Sequence, residues 1–386
     1  MNFQLDKSQK EIQKAAREFA KGEFDGDFIL EKEKMGKFPE MIRKRAADLG
    51  FTGVHYHEKY NGGGLGLFEN ILIAEEFCRR ESSVGIALML SGFSAECILR
   101  FGSENLKTRW LPMVTKGEAL GGAAFTEKMA GFDLADITTS AKADDGGWVI
   151  NGSKNQILNG STAGFYCVLC QTDPEARPPK AKSLILVEAD RQGLKVENIR
   201  NKLGMRMSTT ADLRFESVRV PYENLIGRRG QGLSQVYSFY NEAWILIASL
   251  ALGTAKGAFS KALDYVKKRE QFGRVIAKFQ VTQHKIARMA SRIEEASAFV
   301  YKTATDFDHG KNRLAVGAMA KLCACQTAIE VTNEAIQMLG GYGYMREYGL
   351  ERFYRDAKAM ELFCGNTGFL KDIVAREILG NAKYRQ

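Results

Sequence analysis

Proline is scarce in this chain of 386 residues, with six in all, so little in the sequence breaks a helix. Histidine is scarcer still. The four present do not cluster, and no HExxH pattern occurs, which argues against a metal centre. Walker loops and GxSxG elbows are missing too, which removes nucleotide hydrolysis and serine-hydrolase chemistry of those types. Seven scattered cysteines do not form the dense framework of a small disulfide-stapled protein and point to a reducing compartment. No uninterrupted apolar run reaches the roughly 18 residues that a membrane span needs. The opening "MNFQLDKSQKEIQKAAREFAKGEF" has no signal-peptide apolar segment, and its acids are foreign to transit peptides. The expected location is the cytoplasm.

What is present is a length sufficient for two or three domains and a sizeable core. The net charge is +9, and 45% of the residues are hydrophobic. Lysine and arginine are spread along the chain beside acids, with no block of like charge. Such a surface is either simply solvated or attractive to a polyanionic small molecule such as a nucleotide or coenzyme A. Without a recognition motif or a basic stripe interleaved with aromatics, nucleic acid is not an expected partner.

Hydrophobic periodicity divides the chain in three. Residues 1–119 read as an N-terminal helical domain, with apolar residues at helical spacing in "FPEMIRKRAADLGF" and "FENILIAEEFCRRESSVGIALML". The glycine-rich "HEKYNGGGLGLF" between them follows no strand and reads as a loop. Residues 120–226 alternate as short strands, starting with "ITTSAKADDGGWVINGSKNQI", and predict a β-barrel or sandwich. Residues 227–386 return to long helical patterns with short connections, as in a four-helix bundle. Cys167 and Cys170 form a CxxC within a strand pattern, where i and i+3 point to opposite faces. They are expected to be buried small hydrophobes. Cys323 and Cys325 diverge similarly on a helix.

Four segments carry a resemblance to the acyl-CoA dehydrogenase family over nearly the full chain. They are "LGGAAFTEKMAGFD" from Leu120, "NGSKNQILNG" from Asn151, "KKREQFGRVIAKFQ" from Lys267 and "IQMLGGYGYMREYGLERFYRDAK" from Ile336. The resemblance implies FAD between the β-domain and the bundle, an acyl-CoA thioester substrate and an electron-transfer flavoprotein as acceptor. It also implies a tetramer of paired dimers, either homomeric or mixed with a homologous subunit. Arg269, Phe272 and Gln280 lie in the family segments that meet FAD. Gln337, Gly340 and Gly341 match positions reaching it from a neighbouring subunit, where glycine permits close backbone approach. Thr126 and Leu158 match positions at the flavin ring.

The resemblance fails at the reacting end. Family chemistry removes an α-proton and passes a hydride to the flavin, so a carboxylate stands opposite the ring. Without gaps, that glutamate is Cys364 here, followed by Gly365 at the substrate loop, and the family threonine is Asn366. Leu158 replaces a hydroxyl residue, Gln156 an aromatic, Phe132 a serine beside the thioester tail, Lys128 a proline and Trp244 an arginine. Val84 stands at the family's carboxylate-binding arginine, which disfavours glutaryl-like substrates. An alternative base of some members falls on Ala243, one residue from Glu242, about 100° around the helix. Glu242 is the alternative base to consider. A buried thiol with no cation nearby stays protonated, so Cys364 is expected to fill space, while its backbone N–H remains available to a thioester carbonyl.

The expected function is an FAD-dependent dehydrogenase for an atypical CoA thioester, such as a cyclic or conjugated one, with the base elsewhere. A non-catalytic or half-site subunit, or a non-oxidative lyase on the same scaffold, is the alternative.

Overall fold

The computed structural model describes residues 4–380. The first helices are α1 (Lys7–Glu23), α2 (Gly26–Met35) and α3 (Glu40–Asp48). Asp6 opens α1 through a capping box, its carboxylate accepting from Gln9 N–H at 2.8 Å while the Gln9 side chain accepts from Asp6 N–H. These helices bury Phe19, Phe24, Ile29 and Phe51 in a satellite core. Next come α4 (Leu67–Arg80), α5 (Ser82–Met89), α6 (Ala95–Phe101) and α7 (Glu104–Thr115).

The strands are β1 (Gly121–Ala124), β2 (Ser140–Asp144), β3 (Gly147–Leu158), β4 (Phe165–Gln171), β5 (Lys182–Glu188), β6 (Leu194–Glu197), β7 (Thr210–Val220) and β8 (Leu225–Ile226), with the short helix α8 (Pro178–Ala181) leading into β5. Their order is β6-β7-β3-β2-β4-β5-β8, with β1 parallel to β4. The sheet stays open and does not close into a barrel. Its two faces explain the CxxC. Cys167 packs toward the helices and Cys170 into the β-domain's own core beside Trp148.

The long helix α9 (Gly232–Val266) follows, then a small hairpin of β9 (Glu270–Gln271) and β10 (Arg274–Val275). Helices α10 (Gln280–Asp308), α11 (Leu314–Leu339), α12 (Gly341–Tyr344), α13 (Leu350–Leu362) and α14 (Thr367–Leu379) complete the chain. By length and composition α9 and α11 are each apolar enough to cross a membrane, which corrects the reading of the uninterrupted runs. However, 83% and 56% of their most apolar windows are buried inside the protein. A helix that is apolar all round belongs in a core, and α9 is the centre of this one.

Buried polar side chains join the domains. Asp308 on α10 caps α4, its carboxylate accepting from Leu67 and Phe68 N–H at 2.9 and 2.8 Å. Asp356 on α13 is fully buried and accepts from Ser82 and Ser83 hydroxyls at 2.6 and 2.7 Å and from Met205 N–H at 2.7 Å. One carboxylate thus ties α13 to the N-terminal helices and to the β-domain loop. Arg352 grips Glu81 in a buried two-pronged pair, with contacts of 3.1 and 3.0 Å.

Replacing Asp356 leaves three donors in the interior without an acceptor, each costing about 1–3 kcal/mol. Asp356→Ala is expected to lower the unfolding free energy by roughly 3 kcal/mol or more in chemical denaturation. A loss below about 0.5 kcal/mol, the scale of an ordinary surface change, would show that the carboxylate is not the tie described.

Candidate functional site

Helix α13 ends in a turn built from four residues. Phe363 N–H closes on Ala359 O at 2.8 Å. Cys364 then takes a left-handed conformation (φ 57°) and Gly365 one at φ 111°, which glycine reaches without strain. The Asn366 side chain accepts from Phe369 N–H at 3.0 Å and starts α14. Asn366 is therefore a helix cap.

Three successive carbonyls of this turn are pinned. Lys321, wholly buried on α11, donates from Nζ to Phe363 O and Gly365 O, both at 2.5 Å. The Trp244 indole on α9 donates to Cys364 O at 2.6 Å. In a trans peptide the N–H points opposite to the preceding C=O. Because Lys321 holds Phe363 O, the Cys364 N–H points away from α11. Among the described residues no backbone or side-chain acceptor takes it. The cation that the sequence did not supply for Cys364 is thus Lys321. Even so, burial dominates and pushes the thiol up to about 12, against the pull of Lys321 and Trp244. The group is a neutral thiol at physiological pH.

Cys364 lines a cavity of about 720 Å³ where the β-domain meets the helical bundle, within the size range of small-molecule sites. Thr126, Phe132, Gln156 and Leu158 line it with Cys364. Thr126 Oγ1 is bonded to Asn155 O at 2.9 Å, and Phe132 stacks on Phe369 at 5.6 Å between centroids. Gln156 sits in a bulge of β3 with φ 56°, its N–H held by Asp212 at 2.9 Å. Cations stud the wall, namely Lys128, Arg200, Lys202, Arg355 and Lys358. Burial brings Lys202 down to about 8. Arg200 pairs with Asp212, Arg355 with Glu33 and Glu351, and Lys358 with Glu361, which leaves Lys128 and Lys202 as the wall cations without a carboxylate among the described residues.

The only carboxylate among the described lining residues is Glu127, and it is fully engaged. It accepts from Lys154 Nζ at 2.9 Å, from Thr138 N–H and Oγ1 at 2.8 Å each, and from Thr139 N–H at 2.9 Å. Burial works against its charge, but Lys154 and the threonine donors win and hold the carboxyl down to about 2.

The other expected site residues fall elsewhere. Trp244 is fully buried and does not line the cavity; it reaches the site through the Cys364 carbonyl and by stacking on Tyr240, which does line it, at 5.6 Å. Gly365 contributes its carbonyl to Lys321 rather than a cavity wall. Glu242 faces a separate small cavity, with Oε2 2.5 Å from Arg100 Nε. Arg269 lies over the Tyr342 ring at 5.5 Å, beside a surface cleft. Phe272 is 93% exposed, and Gln280, Gln337, Gly340 and Gly341 also face outward. None of these outer residues lines the Cys364 cavity.

The comparisons with known proteins cover the whole arrangement. The descriptions "Acyl-CoA dehydrogenase, N-terminal domain", "middle domain" and "C-terminal domain" match residues 6–118, 122–218 and 230–379 in turn. The chain belongs to the acyl-CoA dehydrogenase family. It is 36% identical over 381 residues to acryloyl-CoA reductase (NADH) of Anaerotignum propionicum, covering 98% of this chain and 96% of that one. Butyryl-CoA dehydrogenase from Megasphaera elsdenii superposes with a TM-score of 0.94 at 32% identity, covering 98% of this chain and all of the other. A chain solved in work on the electron transferring flavoprotein of Acidaminococcus fermentans gives 0.94 at 35%, with the same coverages.

Family members are oxidoreductases of CH–CH bonds, and FAD is their cofactor. The residues here fit it. The large cavity offers a cationic wall for a diphosphate, an apolar stretch at Leu158 and Phe125, and the Thr126 hydroxyl beside them. When bound, FAD supplies a two-electron acceptor for hydride.

Two measurements check the electrostatics. Cys364 is expected to resist iodoacetamide in the native protein at pH 7.5 and to react after denaturation; rapid native alkylation, mapped by mass spectrometry, would contradict the protonated, buried thiol. Because the Glu127 carboxyl is depressed in the fold, its contribution to stability is complete above the ordinary carboxylate range and is lost as pH falls from about 4.5 to about 2. Urea unfolding of Glu127→Gln should therefore show a shallower loss of stability across that window than wild type, and equal slopes would contradict the assignment.

Proposed function

We propose that this protein is an FAD-dependent acyl-CoA dehydrogenase-type enzyme acting on an atypical CoA thioester, with its base away from position 364. The observation that supports this most is the chemistry of the large cavity. It holds a neutral thiol at Cys364, where the resemblance places the family glutamate, and its one carboxylate among the described lining residues is consumed by Lys154 and the Thr138–Thr139 donors. A Cα proton next to Cys364 therefore has no carboxylate to accept it. A substrate that loses its proton from another carbon, such as a cyclic or conjugated acyl group, escapes this restriction.

The rest of the turn remains suited to binding. The free Cys364 N–H, aimed away from Lys321, is a donor for the thioester carbonyl and for negative charge that develops on it. Lys321 and Trp244 hold that donor in place. The cationic wall supports a coenzyme A or flavin diphosphate. The relative solved in work on an electron transferring flavoprotein supports such a protein as electron acceptor. The outward residues Arg269, Phe272, Gln280, Gln337, Gly340 and Gly341 support a tetramer in which they meet FAD, some of them from a neighbouring subunit. The seven cysteines, all unpaired in the structure, support a cytoplasmic setting. The loss of the base also supports a second reading, a half-site subunit that binds FAD beside a catalytic homologue.

The test is an anaerobic titration of the purified flavoprotein with a panel of saturated, cyclic and conjugated acyl-CoAs, followed by the visible flavin spectrum. One relative carries the name of a reductase, so the reduced protein is also mixed with enoyl-CoAs. Bleaching by a cyclic or conjugated thioester, with straight-chain acyl-CoAs inert, is the expected result. Cys364→Glu should then gain reduction by a straight-chain substrate. Flavin that no thioester reduces points to the half-site subunit, product with unchanged oxidised flavin points to a lyase, and prompt bleaching by straight-chain acyl-CoAs contradicts the displaced base.

A further inference from the structure

Behind the large cavity lies a second, smaller one of about 40 Å³. The two share Phe93 and Phe239 as a partition. Those rings meet edge to face at 4.9 Å, and Phe93 also packs on Phe363 at 5.2 Å, next to the Cys364 turn. The small cavity therefore lies just beyond the reacting end.

Its lining is mostly apolar, but a buried polar cluster stands within it. Glu96 Oε1 accepts from Tyr56 OH at 3.0 Å and pairs with His55 Nε2 at 2.8 Å. Arg100 holds Glu242 Oε2 at 2.5 Å, and His55 Nε2 stands 4.0 Å from Glu242 Oε1. Three buried atoms have no partner: Glu242 Oε1, Glu96 Oε2 and His55 Nδ1. Glu242 is only 3% exposed. Buried polar atoms in such a state call for a hydrogen-bonding guest.

The charges select the guest. Burial opposes the His55 cation, but Glu96 and Glu242 outweigh it and raise its pKa. Burial and the Glu96 charge raise the Glu242 pKa against the pull of Arg100 and His55; with His55 protonated and Glu242 ionised, two carboxylates face two cations and the cluster is balanced. A carboxylate guest meets two acids and an ammonium upsets the balance. His55, Glu96 and Glu242 also have the ligand types of a metal site. A divalent ion there, however, sits beside the fixed Arg100 guanidinium and competes with the His55–Glu96 contact. A hydroxyl is neutral, donates to a free carboxylate oxygen and accepts from an imidazolium N–H. The volume exceeds the 10–15 Å³ that a water needs on the same scale and accommodates a hydroxymethyl end.

We propose that this cavity is the terminal acyl subsite, and that the enzyme's substrate carries a hydroxyl at the far end of its acyl group, donating to Glu242 and accepting from His55. The acyl chain reaches it by passing the Phe93–Phe239 partition. The inference rests on the acyl-CoA reading of the large cavity and specifies the substrate class for it. Glu242 then recognises the substrate tail, and its position one residue off the alternative base is accounted for.

The test is binding, read from the perturbation of the oxidised flavin spectrum of the holoenzyme. A length series of ω-hydroxyacyl-CoAs is compared with the matching unsubstituted acyl-CoAs. At one chain length the hydroxyl is expected to tighten binding by about 10- to 100-fold, as for a hydrogen bond to a charged group. Glu242→Gln should reduce that preference. Ala243→Val, which fills the cavity without touching a charge, provides the same check should the first variant fail to fold. Equal binding of both series at every length overturns the subsite and marks the cavity as a place for water, leaving the acyl-CoA reading intact. If no acyl-CoA of either series binds, the acyl-CoA reading falls and the subsite with it. Stabilisation of the protein by Zn²⁺ or Mn²⁺ without any hydroxyl preference overturns it in favour of a metal site.

Discussion

The amine of Lys321 spans the turn between α13 and α14, and the geometry of the reacting end follows from that one contact. A lysine at zero exposure pays a large desolvation cost unless its donors are met. Here two of the three ammonium donors are met by backbone carbonyls, Phe363 O and Gly365 O, rather than by a carboxylate. The cation therefore fixes main chain and not side chain. It sets the direction of the Cys364 N–H through peptide planarity, and it does so whatever side chain occupies position 364. The proposed function relies on this independence, since it keeps the backbone donor while the side chain supplies no base.

The turn is held from behind as firmly as from the side. Helix α13 delivers the chain to Cys364, and it is anchored by Asp356 to Ser82, Ser83 and Met205 and by Arg352 to Glu81. All three parts of the chain thus converge on the helix that positions the site. The 720 Å³ cavity faces the β-domain, and the 40 Å³ cavity lies within the helices beyond Phe93 and Phe239. A neutral, small Cys364 sits at the junction.

Much of the architecture was legible because it is local. The helical period of α9 to α11 and the alternation of β3 and β7 are written in consecutive residues, and the opposite faces of Cys167 and Cys170 follow from strand geometry alone. The position of Cys364 was legible because "RDAK" and the downstream Ala375–Arg376 fix the register. The contacts that give these residues meaning were not. Trp244 meets Cys364 across 120 positions, and Arg100 meets Glu242 across 142. No spacing rule reaches that far. Lys321 left a faint signal, a single cation in the small-residue run "AVGAMAKLCAC", where an unpaired charge on a buried helix demands a partner. Trp244 was expected against substrate because its position was known and its direction was not.

The central claim is that this active site cannot take a proton from Cα. Its most direct test is hydrogen exchange. The flavoprotein is incubated anaerobically with butanoyl-CoA in D₂O, and deuterium incorporation at Cα is followed by mass spectrometry beside Cys364→Glu. The account predicts no enzyme-dependent incorporation with the natural protein and clear incorporation with the glutamate variant. Exchange by the natural protein at a rate matching the variant would contradict it, and would place a working base at the Cys364 end of the cavity after all.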